Sequence, residues 1–461
     1  MGSLINQEDN YAANFGSAFR SSAIFYKPRD IKATISFSNY WKFKNNVEVG
    51  LVASTRDMKG NIVSREDLEF KAGNVLNLEV NSIEEGSIEI EAFSSRNLRI
   101  PYAAIMVVYE TENAVSMVHS YGRNHSLIEL EDEKAITEAR ESCWTLRGKP
   151  NVTNHAIFHN GHVALKPQEC VFIVTRNDGV ERKLVIDMPL IEAFETFEFH
   201  AEEMFPELHE FLGGKIGWGT LHFESYSSFT RLLIIWKNSE TKEVQVTHSN
   251  FDYSAHSTNS VESTKPAYMQ LPNVYEQLPG VIVYPKFTTG NYLVNNVTQF
   301  SNGISFLSDI AEVTFSRTDG ELPARIVTSI FGAESGEQTL PYECSLGVVH
   351  EKRPQKRFHW FLVSSILPTV IHITFFDKIY GTFEPIELIV KLYSDASLEV
   401  DEVVLSYDSL RDIPKELKVS DVFEMSGIKS FAYVSIFSHY GGFVFFSSLR
   451  KNRNITIEHS F

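Results

Sequence analysis

The chain has 461 residues, an apolar fraction of 43%, a charged fraction of 22% and a formal net charge of -17. Such a length exceeds what one hydrophobic core usually supports, so two to four globular domains are expected, and the negative charge disfavours nucleic acid or an anionic bilayer as main partner. No run of 18 apolar residues exists, which argues against any membrane-spanning helix.

The opening stretch MGSLINQEDNYAANFGS holds no basic segment followed by an apolar one. Residues 1–20 therefore read as a flexible N-terminal segment without a signal peptide. Cys143, Cys170 and Cys344 form no CxxC pair, a pattern that suits a reducing compartment and makes the cytoplasm the expected location. With 34 Phe and 18 Tyr, the composition favours strands, because aromatic side chains fill a pleated, half-buried surface.

The first strong pattern is a repeat. GSIEIEAFSS (86–95) aligns without gaps to GTLHFESYSS (219–228), and both alternate apolar and polar residues as half-buried strands do. YAAIMVVYETENAVSMVHS (102–120) then matches RLLIIWKNSETKEVQVTHS (231–249), each an apolar strand, a polar turn and an alternating strand. That is a β-hairpin ending in His-Ser. Weaker echoes at 360–377 and 433–448, the latter with a Gly441-Gly442 turn, are read as the corresponding hairpins of two further units. This alignment places Ile373 and Ser447 at the histidine position.

Pro- and Gly-bearing polar stretches near 150, 265–280 and 381–385 mark the joints. The expected fold is mainly β, with tandem antiparallel β-sandwich-like units and a few short inserted helices. Unit 1 spans 21–148 and unit 2 spans 149–264. Unit 3 covers 280–382 and unit 4 covers 383–461, the last two forming either separate domains or one. One helix is expected near 202–212, where Met204, Phe205, Leu208, Phe211 and Leu212 have helical spacing and Gly213 offers a stop, and a second over 130–144.

Candidate chemistry centres on histidine. His119 shares a strand face with Val115 and Met117, and His248 with Val244 and Val246, so both point toward buried surroundings. A repeated core position explains this. The alternative is a His/acid site at the junction of units 1 and 2, drawing on His119, His125, His248 and His256 with Asp252 and Glu224. His155, His159 and His162 raise a metal question, weakened by Asn160-Gly161, which breaks any His-x3-His helix. The acidic run from Leu184 to Gly214 reads as a solvated face, and the basic run at 350–360 as a loop. No G-x-S-x-G elbow, P-loop lysine motif or strand-linked G-x-G-x-x-G occurs. No cofactor is expected. The leading expectation is a non-catalytic binding or assembly protein with a protein or saccharide partner, no nucleic acid and no membrane insertion. The runner-up is an enzyme acting on a carbohydrate or related small polar substrate.

Overall fold

In a computed structural model, the described residues are 19–94, 105–125, 141–228, 231–250, 265–272, 280–283, 292–295, 298–300, 304–306, 312–320, 322, 327–332, 340–347, 357–382 and 384–461. Their strands form eight four-stranded antiparallel sheets, two for each of four units. The units run over 19–119, 141–248, 267–347 and 358–459. Numbered within a unit, the strands order as first-sixth-third-fourth in one sheet and fifth-second-seventh-eighth in the other, identically in all four. The protein is thus a tandem array of one eight-stranded sandwich.

The sequence repeat maps onto this frame, with the hairpin turn two residues longer in unit 2. Gly86–Ser94 and Ile216–His222 are the sixth strands of units 1 and 2. Their seventh and eighth strands pair as hairpins, Ile105–Glu110 with Val115–His119 and Leu233–Asn238 with Val244–His248. Met106 stands opposite His119 and Leu233 opposite His248.

The two weaker echoes are corrected. Residues 360–377 cover the first and second strands of the fourth unit, Phe358–Ser364 and Thr369–Phe375, which lie in different sheets. Residues 433–448 fall in its sixth and seventh strands, Phe431–Phe437 and Phe443–Lys451, also in different sheets. Two buried apolar strands around a turn look alike in sequence whether they pair or cross between sheets. The true eighth strands are Tyr342–Gly347 and Asn454–His459. Their registers put Cys344 opposite Ile330 and His459 opposite Phe446. The His-Ser of the first two units thus returns as Cys344-Ser345 and His459-Ser460, not as Ile373 and Ser447.

The expected helix near 202–212 is broken into Ala201–Met204 and Leu208–Leu212. Pro206 lacks an N–H and drives Phe205 to an extended φ of -139°, which ends the first piece, while Gly213 at φ 59° closes the second. Over 130–144, residues 141–144 belong to the strand Glu141–Arg147, and the remainder lies outside the described residues. The basic run at 350–360 is also largely outside them.

The units are not beads on a string. The core around Trp41, Ile90 and Tyr109 of unit 1 continues into Leu233 and Val246 of unit 2 and into Trp360 and Tyr433 of unit 4. Another core joins Phe315 and Tyr342 of unit 3 to Phe446 and Ile457 of unit 4. Leu340 of unit 3 packs into the core of unit 2. Each eighth strand packs against the eighth strands of two other units, in the cycle 1–2–3–4–1. Every residue of Val115–His119 and of Val244–His248 is accordingly buried, polar ones included.

A strand edge facing another unit needs partners for its backbone groups. Side chains of the neighbour provide them. Val115 N donates to Asn454 Oδ1 at 2.9 Å, and Met117 N to Thr456 Oγ1 at 3.1 Å. One step around, Val246 N donates to Ser116 Oγ at 2.9 Å, and a further step on Leu340 N donates to Glu243 Oε2 at 2.8 Å. Counted back from His119, His248, Cys344 and His459, the same strand positions give and receive at successive junctions. The ring therefore has rotational regularity in its hydrogen bonds as well as in its topology. Gln245 Nε2 adds a 2.8 Å bond to Ile455 O, linking unit 2 to unit 4.

Candidate functional site

At the C-terminal ends of the eighth strands the histidines come together. His119 Nε2 and His248 Nε2 lie 3.0 Å apart, and the His119 ring packs edge-on to His459 at 5.3 Å between centroids. Nδ1 of His119 is 2.9 Å from Ser120 O, that of His248 2.9 Å from Ser249 O, and that of His459 3.0 Å from Ser460 O. A carbonyl oxygen only accepts, so each Nδ1 carries the proton and the neutral rings present a lone pair at Nε2. Two lone pairs 3.0 Å apart repel. The contact becomes favourable only with a cation between them, a shared proton or a metal ion.

Glu458 adds a carboxylate, with Oε1 3.5 Å from His459 Nε2 and 3.6 Å from Cys344 Sγ. One ligand atom from each of His119, Glu458 and His459 falls within 4.8 Å of the others. All four units thus contribute at the fourfold-related position. Burial holds His119 and His248 well below the ordinary imidazole range, and the charges of Arg231 and of the neighbouring histidines push them the same way. Burial also pushes the Glu458 carboxyl up to about 8, against hydrogen bonds from the His459 backbone and Cys344 that favour its charged form. The Cys344 thiol is raised by burial and by Glu458.

The other residues singled out in sequence divide as follows. His125 is buried, its N–H donating to Ser227 O at 3.0 Å and its Nδ1 3.3 Å from Arg123 Nη2, across the seam of units 1 and 2. Glu224 is exposed and accepts from Tyr226 Oη at 3.2 Å. Asp252 and His256 lie outside the described residues. His155, His159 and His162 do not converge. His159 is held between Tyr121 Oη at 2.9 Å and Thr196 Oγ1 at 3.0 Å, and burial pushes it down to about 3. His155 instead meets Glu198 at 2.5 Å and Thr153 at 2.8 Å, and His200 approaches the same carboxylate at 3.7 Å. Burial would raise Glu198, but the hydrogen bonds from His155 and His200 overcome it and hold the carboxyl well below its usual range. Glu198, read in sequence with the solvated acidic run, is therefore half-buried and paired.

Sequence reasoning missed His459, Glu458 and Cys344. The signal was present: the terminal phrase ITIEHS ends an alternating run in His-Ser as VSMVHS and VQVTHS do, and YECS shares both the Glu and the Ser of IEHS.

No protein-family model matches the sequence, and no curated protein matches it. Among solved structures, the chain was matched to the crystal structure of a tetra-tandem repeat in the extending region of a large adhesion protein. Identity is 7%, coverage 90% of this chain and 91% of that one, and the TM-score 0.11. At that score the match carries no argument about fold or function.

Proposed function

We propose that the chain is a non-catalytic binding and assembly protein, a closed ring of four sandwiches that presents its outer strands to a protein partner. The observation that supports this reading is the use of the eighth strands. They are the sheet edges that could otherwise pair with another chain, and here they are consumed in holding the units together. The fourth strands stand at one end of the other sheets. Ile62, Val63, Val185 and Val404 on them are 50% or more exposed. Strand addition at such an edge gains main-chain hydrogen bonds and side-chain contacts together.

A protein partner fits better than a saccharide. A cavity of about 330 Å³ between units 1 and 4, bordered by Glu69, Lys71, Asn77, Asp395 and Lys429, has among the described residues no aromatic lining on which a sugar ring could stack. Three free, buried cysteines suit a reducing compartment, in keeping with the cytoplasm.

Photo-crosslinking tests the reading. A photoreactive residue at Val185 or Val404 should trap a discrete partner that one at Lys166 does not, and Val185→Lys or Val404→Lys should abolish the association. Equal adducts at all three positions, or none, would refute an outer-edge docking surface.

A further inference from the structure

The cluster where the eighth strands converge has the donor set and the supporting shell of a metal site. We propose that His119, His248 and His459, completed by Glu458, bind one divalent transition-metal ion, zinc by preference, and so lock the first, second and fourth units together. The proposal does not depend on the partner surface above.

Four observations carry it. Each imidazole is tethered through Nδ1 to the carbonyl of the serine that follows it, the outer contact by which metal-binding histidines fix their tautomer and turn Nε2 toward the ion. The Nε2 atoms of His119 and His248 face each other at 3.0 Å, where neutral rings of that tautomer have no hydrogen to place between them. Two nitrogens bound tetrahedrally to zinc stand about 3.3 Å apart, so this pair needs only a small opening, while His248 has still to close on His119, Glu458 and His459, which lie within 4.8 Å of one another without it. Third, one carboxylate lies within reach of two of the rings, and three imidazoles with one carboxylate make a four-coordinate set suited to zinc. Fourth, the donors come from three separate units, which neither a local turn nor the packing within one sandwich would produce.

A shared proton satisfies only the His119–His248 pair. It leaves unexplained the third identically tethered ring and the carboxylate buried beside it. The guanidinium of Arg231 acts on His119, His248 and Glu458, and opposes any added cation. Ion binding displaces the proton of Glu458, whose carboxylate then compensates that charge. Cys344 Sγ, beside Glu458, occupies the fourfold-equivalent place in unit 3. Because the site is enclosed by buried strands, the ion's role is structural, and ion binding adds to folding stability by linkage.

The test uses the full chain. Purified protein is incubated with zinc, passed through gel filtration and assayed for metal by mass spectrometry, and a parallel sample is loaded with cobalt and followed by visible absorption. The expected result is about one ion per chain, a tetrahedral cobalt spectrum and a melting temperature that falls on chelation. The double variant H119Q/H248Q should lose the ion, while E198Q, which dismantles the separate His155–Glu198–His200 cluster, should keep it. If the double variant fails to fold, the single variant His459→Gln, at a partly exposed ring, should show the same loss with a native circular dichroism spectrum. Wild-type protein that retains no zinc, or zinc that persists in H119Q/H248Q or H459Q and disappears in E198Q, would overturn the assignment.

Discussion

Ser116 and Gln245, on eighth strands of two different units, are joined by a buried 3.1 Å hydrogen bond, and Ser116 Oγ also accepts from Val246 N at 2.9 Å. One hydroxyl thus closes a strand edge belonging to another sandwich. Ser116→Ala leaves that buried N–H without its acceptor, at a cost of about 1–3 kcal/mol. Because the units share cores, calorimetry should show one cooperative transition shifted as a whole. A variant that splits the endotherm into separate unit transitions would show that the junction is only a contact.

Between units 2 and 3, Glu343 accepts from Arg147 Nη2 at 3.0 Å and from Thr145 Oγ1 at 2.5 Å, while the Arg147 guanidinium stacks on Trp236 at 4.4 Å. Arginine suits this place because its planar group stacks on the Trp236 ring while Nη2 donates to the carboxylate. Glu343→Ala removes the partner of a buried cation and should cost about 3–5 kcal/mol. Chemical denaturation measures this, and a loss within about 1 kcal/mol would mean that the pair is not truly desolvated.

Burial of neutral histidines sets a pH dependence. His119, His159 and His248 have depressed folded values, chiefly through burial, with His159 at about 3 against an ordinary 6.5. The unfolded chain takes up these protons below about pH 6.5 and the folded chain does not. Their contribution is therefore complete above pH 6.5 and falls as the solution is acidified, by at most about 1.4 kcal/mol per unit for each ring. Glu458 runs the other way. With its folded value raised from 4.5 to about 8, its contribution is complete below pH 4.5 and lost as pH rises toward 8. His200, raised by Glu198, opposes the rings as Glu458 does, so the effect is read at His159, which lies apart from the metal set: the stability of chelated wild type relative to His159→Gln should fall in urea titrations from pH 6.5 to 5. Relative stability flat or rising there would contradict the neutral, buried assignment.

Tyr121 offers a separate check on the seam of units 1 and 2. Its hydroxyl accepts from Tyr26 N at 2.8 Å and meets His159 Nε2 at 2.9 Å. Tyr121→Phe should destabilise by about 1–3 kcal/mol, as buried polar groups lose their partner. An unchanged denaturation midpoint would place the hydroxyl outside the load of the junction.

Much of the fold was legible because β structure writes itself in period two. VSMVH and VQVTH end hairpins in both sequence and structure, and their alternation placed His119 and His248 on an inner face. The ring was not legible. Ser116, Gln245 and Thr456 look like outward, solvated positions, since nothing local says that another unit supplies the solvent's place. Unit 3 hid its membership because Cys344 stands where the others have histidine. Unit 4 hid His459 because an apolar strand pair at 433–448 matched the hairpin pattern first. The candidate site was visible as two of its histidines, and its remaining members follow only from long-range closure.

Hydrogen exchange, read strand by strand on the full chain, tests ring closure most directly. Closure predicts that amides of Val115–His119, Val244–His248 and Asn454–His459 exchange slowest and at one common rate set by global unfolding, while the outer strands Ile62–Leu68, Glu181–Met188 and Asp401–Tyr407 exchange far faster. Eighth strands that exchange as readily as the outer ones, or at different rates in each unit, would contradict it.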